Sequence, residues 1–466
     1  MFKIFLTFFV FLFSATAWTA PFDGIEYLPA GSRAAIYVAS EQGADIIYNS
    51  EQLLPPASTL KILTALAAKI ELGDDFQFVT QLQKSNRDLF LSFSGDPKLA
   101  RTDIKKLLQE YKTQHGNIIP GNLYIDDRQF TGYEKAPGWP WDNLGVCYSA
   151  PSSVVTLDDN CIQGSISSLA TGQTRVYVPP HQPIEVSTDT ITLTKDQQKI
   201  QHCDLELTTF GNTYRLAGCM AERSKPLPLK FAIQDTRSYV SATLRGLLSE
   251  LNISLQGVII TRAKRDTPNE LTLVAEHRSP PLSDLLKIML QESDNLIADN
   301  VLKALGRSYY QAPGSFSNGA AAMKAILEYH TKTNLDYAQF FDGSGLSRNN
   351  KITASQLASV LQYIQLNDHT LNFIELLPTA GVDGTLKYRS SMRGDDVKGQ
   401  LAAKSGSLFG SINMAGFSLD AQGEPNKWFV QLIADYHPPQ SETPATPVEA
   451  PYTSFEKAFY RQLLTD

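Results

Sequence analysis

The chain has 466 residues, more than one hydrophobic core usually covers, so two or three domains are expected. Its 41 Lys and Arg against 48 Asp and Glu give a formal net charge of -7, which argues against a nucleic-acid partner, since neutralising a phosphate backbone needs a cationic surplus. Hydrophobic residues make up 42%, as in an ordinary globular protein.

The opening MFKIFLTFFVFLFSATAWTA places one Lys before an apolar run and an Ala15-Thr16-Ala17 cleavage pattern. It reads as a secretory leader over residues 1–20, with the mature chain beginning near Trp18. The run is too short for a membrane span, and no later segment reaches the roughly 18 apolar residues that a span needs. A soluble, exported protein is expected.

AAIYVAS and ADIIYNS then read as a strand pair, and STLKILTALAAKIELG as a helix from Ser58 to Gly73, apolar on nearly every face and therefore buried. From 86 to 280 short strand-like pieces (LFLSFSG, NLYIDD, TRVYVPP, ITLTK) alternate with Pro, Gly and Asp turns, describing a β-rich insert of two nested subdomains. All four cysteines lie inside it. In an exported chain disulfides are the default, and of three possible pairings Cys147 with Cys161 and Cys203 with Cys219 is favoured, because each closes a short loop. A zinc site using His202 and Cys203 is the rival, although no C-x-x-C spacing occurs.

Helical periodicity returns in PLSDLLKIMLQESDNLIADNVLKALG, AAAMKAILEYH and ASQLASVLQYIQ. LAAKSGS, INMAGFSLD and KWFVQLIADY form an antiparallel meander, QSETPATPVEAP a surface loop, and SFEKAFYRQLL a closing helix. Residues 21–85 and 281–466 are thus expected to make one α/β domain, an antiparallel sheet with strands from both ends of the chain, flanked by helices and interrupted by the insert.

Three short motifs carry chemistry. Ser58 and Lys61 lie one turn apart at the start of the buried helix, where a neutral Lys61 can take the proton from an otherwise weak serine nucleophile. The Ser58 N–H at the helix start faces a developing oxyanion. Alone, S-x-x-K reads more readily as a helix cap followed by a solvated lysine. Ser293-Asp294-Asn295 interrupts an apolar helical run with three polar residues, implying a break that points into a cleft. There Ser293 can relay a proton and Asn295 can bond a substrate amide; the bland reading is a helix-to-helix turn capped by Ser293. Lys404-Ser405-Gly406-Ser407 sits in a strand. Lys404 can keep Lys61 neutral and bind a terminal carboxylate, Ser405 can bond that carboxylate, and Gly406 leaves room for substrate backbone. The Ser407 N–H would be the second oxyanion donor, and the strand could take an extended peptide by strand addition.

The three motifs in this order resemble the penicillin-binding protein and serine β-lactamase superfamily. The insert lies between the first two motifs, an arrangement similar to the low-molecular-mass class C penicillin-binding proteins of the penicillin-binding protein 4 type, peptidase family S13. LPPASTLKILTALAA, KAPGWPW, PLPLKFAIQD, LLKIMLQESDNLIAD, DGSGLSR and AAKSGSLFGSINMAGF carry the likeness along the mature chain. The resemblance implies a periplasmic D-Ala-D-Ala carboxypeptidase that is also an endopeptidase on D-Ala to meso-diaminopimelate cross-links, acting through an acyl-enzyme on Ser58. It implies no metal or cofactor, peptidoglycan peptides ending in D-Ala as partners, and β-lactams acylating the same serine. In such enzymes the Arg of D-G-S-G-L-S-R, here Arg348, holds the diaminopimelate end; the bland reading pairs it with Asp342. Ser405 stands where the family has Thr. The acidic residue of the loop after GWPW corresponds to Asp142 or is displaced from Asn143, and Phe409 stands where relatives have Gln.

Other classes fit less well. No histidine falls in a nucleophile motif, and neither G-x-S-x-G nor H-E-x-x-H occurs. Glu250-Leu251-Asn252 mimics the E-L-N of class A β-lactamases, but precedes the second motif and has Leu248 where the catalytic Glu belongs, so it reads as the end of an amphipathic helix. A serine β-lactamase and a non-catalytic cell-wall-binding protein remain the alternatives, the latter disfavoured because every catalytic position is filled. Phe455, Phe459 and Leu463 share one face of the last helix and are expected to pack on the sheet, with at most peripheral membrane contact as the alternative. Nothing in the sequence indicates an oligomeric state.

Overall fold

A computed structural model describes residues 22–261, 270–438 and 449–465. The leader and most of the QSETPATPVEAP loop lie outside the described residues. The central sheet has five antiparallel strands in the order Leu401–Leu408, Ser411–Leu419, Pro425–Ala434, Arg33–Ser40 and Gly43–Tyr48, so its strands come from both ends of the chain. Strand alternation divides its side chains between two cores. Val430, Leu432 and Ala434 face the helices, whereas Phe429 and Ile433 face the C-terminal helix Pro451–Leu464. Phe455, Phe459 and Leu463 of that helix are buried in the second core, packed on the sheet.

On the helical side Leu60–Leu72 runs through the middle of the core. Leu60, Ile62, Leu63, Ala65, Leu66, Ala67 and Ala68 are all buried, because the helices Leu282–Gln291, Asn295–Tyr310, Phe316–Thr331 and Ala354–Leu371 and the sheet enclose it. Among the described residues no helix is long and apolar enough to cross a membrane.

The insert is less purely β than its sequence texture implies. Its first sheet joins Ile259–Thr261, Leu123–Asp126, Asp88–Ser92, Val79–Ser85 and Thr272–Arg278 in mixed sense, and packs against the helices Arg101–His115 and Thr236–Glu250. Val79–Ser85, expected on the catalytic side of a boundary at 86, pairs within this sheet. A second small core gathers Ile166, Tyr214, Leu216 and Phe231 between the sheets of the distal part. The cysteines form Cys147–Cys161 and Cys203–Cys219 disulfides, which leaves no thiolate for the rival zinc site.

Candidate active site

Ser58 stands on a 3-10 turn, Ala57–Thr59, that feeds directly into the buried helix. The turn is held by Thr59, whose hydroxyl donates to the Pro56 carbonyl at 2.7 Å, and Ala57 adopts a left-handed φ of 47°. Two glycines make room for it. A Cβ on Gly345 would stand 1.9 Å from the Ala57 carbonyl oxygen, and one on Gly406 would stand 2.8 Å from Pro56 O and 3.0 Å from Ser58 N. The D-G-S-G loop and the K-S-G strand therefore close on the Ser58 turn at backbone contact distance.

Lys61, fully buried one helical turn beyond Ser58, donates to Ser58 Oγ at 3.1 Å, Asn295 Oδ1 at 2.7 Å and the Ser344 carbonyl at 2.6 Å. Burial lowers its pKa to about 8, against the opposing charges of Asp299, Asp342 and Asp294. A neutral amine carries a lone pair, so the Ser58 contact can reverse, with the hydroxyl donating.

The polar interruption at 293–295 is a true helix break. Ser293 has a left-handed φ of 61°, and Asp294, not Ser293, caps the next helix by accepting the Ile297 N–H at 2.9 Å. Asn295 opens that helix with its side chain spanning the cleft, bonded to Lys61 on one side and donating to the Tyr148 carbonyl at 2.7 Å on the other. Ser293 makes no side-chain hydrogen bond among the described residues.

Leu401–Leu408 is one of the two edge strands of the sheet. Segment 378–380 covers its first half, through the Thr379–Ala402 bridge and the bond from Ala403 N to Pro378 O. Beyond it, Ser405, Gly406 and Ser407 lie on the uncovered edge beside Ser58. Lys404 is fully buried and donates to Ser405 O at 2.9 Å. Burial lowers its pKa well below the ordinary lysine value, and the charges of Lys61 and Arg389 lower it further. Burial is the largest cause that brings Lys61 toward neutrality. The Ser405 hydroxyl shares a 2.9 Å hydrogen bond with that of Thr385, whose loop packs through Gly384 against Gln291, two residues before Ser293.

Arg348 and Asp142 occupy the rim. Arg348 is exposed, its guanidinium 5.7 Å from the Phe409 ring centroid. It does not pair with Asp342, whose oxygens accept from Trp139 Nε1, Asn350 Nδ2 and the N–H groups of Gly345 and Ser347. Asp142 lies exposed on the Trp141–Asn143 turn. The hydroxyl of Tyr148 is raised by burial and then by the Asp142 charge, while Arg348 opposes, so the three side chains share one electrostatic neighbourhood.

Sequence reasoning missed Asp299, Ser344, Gly345, Thr385 and Tyr148. For Asp299 a signal existed, since a charged residue four after Asn295 shares its helix face in an otherwise apolar run. For Ser344 and Gly345 the Gly spacing of D-G-S-G was visible, but not the element that it approaches. Among the described residues no three His, Cys, Asp or Glu side chains are grouped to hold a metal ion.

The chain is 35% identical over 456 residues to D-alanyl-D-alanine carboxypeptidase DacB of Haemophilus influenzae, covering 95% of this chain and 93% of that one. The crystal structure of penicillin binding protein 4 (dacB) from H. influenzae superposes with a TM-score of 0.87 at 34% identity, covering 95% of this chain and 99% of that one. The same H. influenzae protein complexed with a novel β-lactam gives a TM-score of 0.83 at 33% identity, over 95% of this chain and 99% of that one. The model of the D-Ala-D-Ala carboxypeptidase 3 (S13) family matches residues 24–450, and the chain belongs to that family.

Proposed function

We propose that this protein hydrolyses the D-Ala-D-Ala bond of peptidoglycan stem peptides through an acyl-enzyme on Ser58, and that it also opens D-Ala to meso-diaminopimelate cross-links. The observation that carries the reading is Lys61 Nζ, fully buried and placed between Ser58 Oγ and Asn295 Oδ1, next to the uncovered edge of a strand.

The substrate peptide adds to the edge at Ser405–Ser407, with its terminal carboxylate beside Lys404 and Ser405. Neutral Lys61 takes the Ser58 proton as Oγ attacks the penultimate D-Ala carbonyl. The oxyanion is met by the N–H groups of Ser58 and Ser407. As the C–N bond breaks, the departing amine receives a proton relayed through Ser293, leaving the acyl group on Ser58. Water then attacks the ester, with Lys61 again accepting a proton, and releases the shortened peptide and free serine. A β-lactam acylates the same oxygen by ring opening. Arg348 and Asp142 hold the diaminopimelate end, with Phe409 shaping that subsite. The leader sends the protein to the periplasm.

Intact-mass analysis after incubation with a labelled penicillin tests the reading: wild type gains one adduct and Ser58→Ala none. Folded wild type without an adduct overturns the peptidase reading, and an adduct persisting in Ser58→Ala removes Ser58 from its role. Digestion of purified muropeptides tests the endopeptidase, since untouched cross-linked dimers would restrict the enzyme to carboxypeptidase work.

A further inference from the structure

Asp299 sits on the Asn295–Tyr310 helix one turn behind Asn295 and is almost completely buried. Its Oδ1 accepts the N–H groups of Gly343 at 2.8 Å and Ser344 at 2.9 Å. The same Ser344 residue presents its carbonyl to Lys61 Nζ at 2.6 Å. The carboxyl thus orients the loop that holds the amine, without touching the amine's hydrogen bonds itself.

Asp299 differs from the other carboxyl of this loop. Asp342 accepts four hydrogen bonds spread over both oxygens, so neither oxygen is left without a donor. Asp299 leaves Oδ2 buried without a partner. A bare buried oxygen is costly for an anion and far less so for a neutral acid.

We propose that Asp299 is a positioning residue for the reaction, holding the Ser344 carbonyl against Lys61 and tuning, by its own charge, how firmly that amine keeps its proton. This inference rests on the reading of Lys61 as the base. Burial and the neighbouring Asp342 raise the Asp299 pKa, while the Gly343 N–H, the Lys61 charge and the Ser344 hydroxyl oppose. Lys61 in turn faces Asp299, Asp342 and Asp294, with Lys404 on the strand opposite; Asp299 also faces Lys303 on its own helix. Amine and carboxyl therefore titrate as linked groups. The sign follows from charge: ionised Asp299 stabilises the Lys61 cation, so removing that charge lets the proton leave at lower pH.

The test is the pH dependence of Ser58 acylation by a labelled penicillin, followed by intact mass. Asp299→Asn keeps an oxygen for the two N–H groups, and the acid limb should move down by about one pH unit with the high-pH plateau retained. Asp299→Ala should lower the plateau about tenfold or more by releasing Ser344. An unmoved limb in a folded Asp299→Asn overturns the proposal. Should that variant fail to fold, wild type labelled with 13C at Asp and Lys decides: the Asp299 carboxyl and Lys61 ε-carbon resonances should shift through one common pH range, and independent titrations overturn it. Wild type that forms no adduct at any pH would instead overturn the serine-peptidase reading, and this inference with it.

Discussion

Gly406→Ala adds one methyl group where the edge strand meets the Ser58 turn. The new Cβ would stand 2.8 Å from Pro56 O and 3.0 Å from the nitrogens of Ser58 and Thr59, where ordinary contact begins at 3.4 Å. All three neighbours are backbone atoms, so no side chain can swing aside. The turn is pinned by the Thr59 hydroxyl bond and by Gly345 behind it, whereas the strand is an edge paired on one side through most of its length. The strand should therefore retreat, by about 0.6 Å from the difference between these distances, widening the gap between Ser58 and the Ser405–Ser407 edge. Misplacement on this scale should slow acylation about ten- to a hundredfold, while overpacking costs about 1–3 kcal/mol of stability. The assay is the second-order rate of labelled-penicillin acylation, with thermal unfolding measured in parallel. Gly246→Ala is the matched control: it lies in the helix Thr236–Glu250 with nothing within 4 Å of its Cβ, and should acylate normally. Gly406→Ala acylating at the wild-type rate would refute the claim that this strand and turn meet at the site.

Other outcomes follow from the same geometry. Because Lys61 must be neutral to accept the Ser58 proton and its pKa is lowered to about 8, acylation should fall as pH drops below that value and level off above it, read from a rate profile at constant ionic strength. Cys147 adjoins Tyr148, whose carbonyl receives Asn295, so Cys147→Ser with Cys161→Ser should raise KM for peptide substrates besides costing about 3 kcal/mol of stability. The same change at Cys203 and Cys219, on the distal sheet, should leave KM unaltered. Lys303, buried and donating to the carbonyls of Tyr133 and Ser152, joins its helix to the insert. Lys303→Met should cost about 1–3 kcal/mol for each carbonyl left unpaired, measured by thermal or denaturant unfolding.

Local features were legible wherever the cause is local. The all-apolar run after Ser58 had to be a buried helix, three polar residues at 293–295 had to interrupt one, and the meander announced itself by its turns. The helices of the β-rich insert were hidden for the same reason. Its strands are marked by Gly, Pro and Asp, whereas Arg101–His115 has a mainly polar surface and only a narrow buried stripe of Ile104, Leu107, Leu108 and Tyr111. Strand Val79–Ser85 shows how weak a boundary signal is, because the turn at 86–87 joins it in a hairpin to Asp88–Ser92 of the insert's sheet, and its other partner, Thr272–Arg278, lies almost two hundred residues away.

By itself the sequence determined the chemical inventory: a serine and a lysine at helical spacing, a polar break carrying Ser293 and Asn295, and a strand with Lys404 before a glycine. Only the tertiary structure decided that these meet. Lys61 reaches Asn295 across 234 residues and Ser344 across 283, contacts set by how helices pack and not by any local preference. The same packing decided charge: burial is a property of the assembled core, and it makes Lys61 a candidate base and leaves one oxygen of Asp299 bare.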